Sequence, residues 1–63
     1  MHKATLLKEL RRIAASKEAD LVLVRQGGRN EIYTLRGVTL PIPRHREIYE
    51  GTAKALIKAA EGA

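Results

Sequence analysis

The sequence predicts an α+β fold in the order α-β-β-β-α, a three-stranded antiparallel sheet packed with two helices. Three observations carry that prediction. Apolar residues recur at helical spacing near both ends, over residues 4–18 and again over 51–60. Between these stretches the pattern changes to short β-rich runs broken by glycine-containing turns. Finally, a length of 63 residues suits one small domain, 1–63, with a thin core and no room for a second.

Along 4–18, Leu6, Leu10, Ile13 and Ala14 form one apolar stripe with Leu7 at its edge, and Lys3, Lys8, Arg11, Arg12 and Lys17 are assigned to the wet side. Leu21–Val24 reads as the first strand, followed by Arg25 and Gln26 and a break at Gly27-Gly28. A second strand is expected over Asn30–Leu35, closed by the turn at Arg36-Gly37. Val38–Pro43 is the third; Pro41 and Pro43 lack backbone donors, which places this strand at a sheet edge and leaving the ladder by Pro43. The last helix spans Gly51–Ala60, capped by Thr52 or Gly51, with Ala53, Leu56, Ile57 and Ala60 as its stripe and Lys54 and Lys58 on another side. The helices cover the sheet to give a two-layer domain.

Composition narrows the function. The absence of cysteine removes disulfides, thiolate zinc sites and a cysteine nucleophile together. No apolar run approaches the roughly 18 residues of a membrane span and the start of the chain lacks a signal-peptide pattern, so the expected location is the cytoplasm. Twelve Lys and Arg against seven Asp and Glu leave a net charge of +5. Residues 25–46 hold five arginines, Arg25, Arg29, Arg36, Arg44 and Arg46, against the single acid Glu31. Arginine forks onto phosphate oxygens and stacks on bases, so a polyanion such as nucleic acid is the leading partner class. The plainer alternative is a basic surface that serves solubility.

Other chemistry has little material. His45 has only Glu47 nearby and His2 stands at the chain start, a spacing too weak for a metal, so neither metal nor cofactor is expected. The hydroxyl residues are scattered, and Gly27-Gly28 lacks the Gly-Lys-Ser/Thr of a phosphate loop. Tyr33 and Tyr49, the only aromatics, can stack a base or pack in the core, packing being the commoner role. Pro41–Glu47 reads equally as a cationic cluster, with His45 able to titrate near neutral pH, or as a rigid crossover into the last helix.

Three segments carry a resemblance. R-Q-G-G-R-N-E-I-Y (Arg25–Tyr33), P-I-P-R-H-R-E-I (Pro41–Ile48) and G-T-A-K-A-L-I-K (Gly51–Lys58) resemble the HicA family of bacterial toxins, over essentially the whole chain. The resemblance implies a fold like the double-stranded-RNA-binding domain. It also implies a metal-independent endoribonuclease that cleaves mRNA, the toxin of a type II toxin–antitoxin system held inactive by a HicB-type antitoxin. An RNA-binding face follows on Arg25, Gly28, Arg29, Arg44, His45 and Arg46, extended by Lys54 and Lys58 if the last helix packs beside the sheet.

One position departs from the family. Where HicA toxins carry a catalytic histidine after the glycine turn, as in G-x-x-H-E-I-W, this sequence has Asn30. Imidazole moves a proton near neutral pH; an amide only hydrogen-bonds. Asn30 is therefore an engineered inactivation, a natural variant that keeps RNA or antitoxin binding without cleavage, or a sign that His45 moves the proton. The alternatives to an enzyme are a non-catalytic RNA-binding module and a protein whose surface serves an acidic antitoxin.

Overall fold

A computed structural model describes all 63 residues. The elements are α1 (Lys3–Ser16), β1 (Leu21–Gly27), β2 (Asn30–Leu35), β3 (Val38–Pro43) and α2 (Glu50–Glu61). The strands form one antiparallel sheet in the order β1-β2-β3. This is the expected α+β order, and it is consistent with a double-stranded-RNA-binding-like fold.

Both helices lie on the same side of the sheet. Leu6, Leu10, Ile13 and Ala14 of α1 and Ala53, Leu56 and Ala60 of α2 are buried against Tyr33, Leu35, Leu40 and Ile42, with Ile48 sealing the end. Each fully buried Leu or Ile contributes about 1.5–3 kcal/mol, and no polar side chain shares this core. The opposite sheet face, with Val22, Thr34, Thr39 and Pro41, has no layer over it. Lys3 corrects the expectation of a wet residue: it pairs with Glu31, which β2 aims toward the helices, and both side chains are largely covered.

α1 stops at Ser16, two residues short of the periodic stretch. The chain reverses at Glu18, whose φ is 55°. Ala19 N–H donates to Ala14 O at 2.9 Å and Glu18 N–H to Ala15 O at 3.0 Å, the paired bonds of a Schellman ending. α2 starts at Glu50 rather than at Gly51, and neither Thr52 nor Gly51 caps it. Tyr49 is the N-cap, its carbonyl accepting the first helical bond from Ala53 N–H at 2.9 Å, with no side-chain cap.

β1 runs three residues beyond the expected Val24, because its register shifts between Leu23 and Arg25. Val24 is an extra residue, a bulge. Leu21 and Leu23 stand opposite Leu35 and Tyr33 on the core side, whereas Arg25 stands opposite Ile32 on the open side. Simple alternation would have put Arg25 beside the leucines; the bulge re-aims it. β1 is also one margin of the sheet, and Val22, Leu23 and Val24 remain 49%, 40% and 59% exposed. β3 is the other margin, as its prolines predict. Pro43 is still paired, with Asn30, so the ladder ends there rather than before it.

Residues 1–3 tie the molecule together. Lys3 N–H donates to Arg46 O at 2.7 Å and Ile48 N–H to Met1 O at 2.7 Å, with an antiparallel bridge between His2 and Glu47. The Met1 ammonium donates to Glu47 Oε2 at 3.1 Å and to Ile48 O at 3.0 Å. The loop after β3 is thereby pinned to the start of α1.

Candidate nucleic-acid interface

Two turns meet at one end of the sheet. Gly27 pairs with Asn30, so Gly28 and Arg29 form a two-residue hairpin loop. Gly28 takes φ +58°, a conformation that L side chains rarely adopt, and the space where its Cβ would stand is empty. Asn30 pairs in turn with Pro43, and Arg44 N–H donates to Arg29 O at 3.1 Å. The hairpin loop and the loop after β3 are therefore held side by side.

Between them lies an open cleft of about 520 Å³ lined by Gly28, Arg29, Arg44 and His45, without an apolar residue. Asn30 adjoins it through the backbone and is half-buried. Arg25 shares the open sheet face with Asn30, one pair further along that face. The arginines of this end are exposed, and none of Arg25, Arg29, Arg44 or Arg46 has a carboxylate partner; the ion pairs of the molecule use Met1, His2, Lys3 and Arg12 as their cations. Unpaired guanidinium groups from two separate segments, around a turn that offers no steric cover, make a place for an anion.

The sequence-predicted residues divide accordingly. Gly28, Arg29, Arg44 and His45 come together, with Asn30 and Arg25 beside them. Arg46 is exposed one residue past the cleft, its carbonyl engaged by Lys3. Lys54 and Lys58 are exposed on α2 and do not line the cleft. Nothing in the sequence pattern signalled that Met1–Lys3 would brace the cationic loop. Nor did it signal that Tyr49 would be exposed while Tyr33 packs in the core.

The Met1 ammonium is held above its ordinary value chiefly by its hydrogen bond to Glu47. That same bond, aided by His2, holds the Glu47 carboxyl below the usual range. No helix of the chain is long and apolar enough to cross a membrane, and no three His, Asp or Glu residues cluster as metal ligands.

A family model described as the HicA toxin of bacterial toxin-antitoxin matches residues 7–61. The chain belongs to the HicA toxin family. As a HicA protein it is the toxin half of a toxin–antitoxin pair, with an antitoxin as its partner. Every residue of the cleft falls within the matched stretch, as do Asn30 and both lysines of α2. No curated protein and no solved structure gives a significant match to the chain.

Proposed function

We propose that this HicA toxin binds RNA at the cleft between the β1–β2 loop and the loop after β3, and that position 30 is the centre of mRNA cleavage. The observation that supports the reading is the meeting of Arg29 and Arg44, both without acidic partners, beside Asn30. In a cleavage that uses the RNA's own 2′-hydroxyl, that oxygen attacks the adjacent phosphorus and the bond to the 5′-oxygen of the next nucleotide breaks. One proton leaves the 2′-hydroxyl and another reaches the departing oxygen. Guanidinium groups at 29 and 44, with Arg25 nearby, stabilise charge on the phosphoryl oxygens as it builds.

Asn30 hydrogen-bonds a phosphate or hydroxyl but moves no proton, so the chain as it stands is weakened or inactive as a nuclease. A proton-transfer group at this position is worth about 10²–10⁴-fold. Total RNA incubated in EDTA with the chain and with Asn30→His tests this. Cleavage by the histidine variant alone supports the reading. Cleavage by both moves the proton chemistry to His45, which lines the same cleft, and His45→Gln in the original chain then abolishes it. Cleavage by neither leaves an RNA-binding module or an antitoxin-binding surface. In the cell, an acidic antitoxin laid over the free arginines would silence the site by charge neutralisation and steric cover.

A further inference from the structure

Tyr49 is the most exposed large side chain of apolar character, at 80%, while the other tyrosine is 6% exposed. Its position is fixed on both sides. The Tyr49 carbonyl accepts from Ala53 N–H, which anchors the residue to the first turn of α2. Its ring leans over Gly51, where an added Cβ would stand 3.0 Å from Cε2 and 3.4 Å from Cδ2. Glycine at 51 lets the ring edge settle there, leaving most of its surface to solvent.

The ring follows directly on the cationic loop. Arg46 and Ile48 are both bonded to the N-terminal segment, so the arginines and Tyr49 belong to one braced stretch of chain. Three residues separate His45 from Tyr49, four steps of chain that reach at most about 14 Å. A flat π-surface on the same braced stretch of chain as unpaired guanidinium groups suits a ligand with flat faces joined by phosphates. In a duplex the faces of the bases are stacked away, whereas a single strand can offer one. We infer that Tyr49 is a stacking platform for one unpaired base of a single-stranded RNA whose phosphates occupy the arginine cleft. The inference rests on the RNA-binding reading above and names the form of RNA it takes.

Because the chain has no tryptophan and two tyrosines, Tyr33→Phe leaves Tyr49 as the only emitter. This variant is titrated with a 2′-O-methyl oligoadenylate eight residues long, which the 2′-hydroxyl chemistry does not cleave. Tyrosine emission is followed together with the anisotropy of a labelled strand. The expected result is quenching of Tyr49 on binding, and no quenching by an abasic strand of equal charge. Tyr49→Ala weakens the oligoadenylate about 5- to 100-fold, while Tyr49→Phe stays within about twofold. Binding with unchanged emission, equal quenching by the abasic strand, or full affinity in Tyr49→Ala overturns the platform while the cleft stands, and leaves the ring to a protein contact. Absence of any anisotropy change overturns the RNA reading, and the platform with it.

Discussion

The guanidinium groups of Arg29 and Arg44 have no carboxylate partner, which leaves them free to take a phosphate. Such contacts release counterions, and their signature is salt dependence rather than sequence preference. Arg29→Ala and Arg44→Ala should each weaken RNA binding about equally for all sequences. Each should also lower the slope of log K against log salt by about 0.7 for a single strand. Fluorescence anisotropy over a salt series checks it. Lys54→Ala and Lys58→Ala provide the contrast: an unchanged slope confines the footprint to the cleft, and a drop extends it along α2. At this scale the sequence shows which residue types are present but not which of them meet. The arginine-rich stretch is plain in the chain, whereas the pairing of Arg29 with Arg44 depends on the β2–β3 register that sets Asn30 opposite Pro43.

At the scale of elements, legibility follows the strength of the local signal. β2 and β3 match their expected bounds because glycine turns and prolines mark their ends. α1 ends early because its stop signal is local but disguised: Glu18 occupies a left-handed position usually filled by glycine. Holding a residue with a Cβ there costs about 1–2 kcal/mol, against about 0.4–1 kcal/mol of extra chain freedom that glycine brings to the unfolded state. Glu18→Gly should therefore stabilise the fold by roughly 0.5–1 kcal/mol, read from chemical denaturation midpoints at unchanged slope. Arg36, at φ 52° ahead of Gly37, occupies the same kind of position in the second hairpin, where asparagine is a favoured residue. The β1 bulge escapes the sequence for a different reason. Leu21–Val24 is apolar at every position, so no alternation marks where the extra residue falls.

Across the whole molecule, the contact least visible in the sequence joins its first residues to the loop after β3. The Met1 ammonium and Glu47 stabilise each other, and the two shifts set a pH window. The raised amino group contributes fully below its ordinary 8.0 and loses its contribution as pH rises through its folded value. The depressed Glu47 carboxyl contributes above its ordinary 4.5 and loses its contribution as pH falls through its folded value. Thermal unfolding of the 63-residue chain should show this contribution between about pH 4.5 and 8. Glu47→Gln should flatten the profile on both flanks, and an unaltered profile would remove the clamp from the account. The two sheet margins have a different consequence. Along β3, pairing to β2 persists through Pro41 and Pro43, so their missing N–H groups belong to the outward side and deny donors to an incoming strand. β1 carries no proline and presents Val22, Leu23 and Val24. The two margins are thus unequal: an incoming strand meets fewer donors along β3 than along β1, whose own ladder is interrupted at the Val24 bulge.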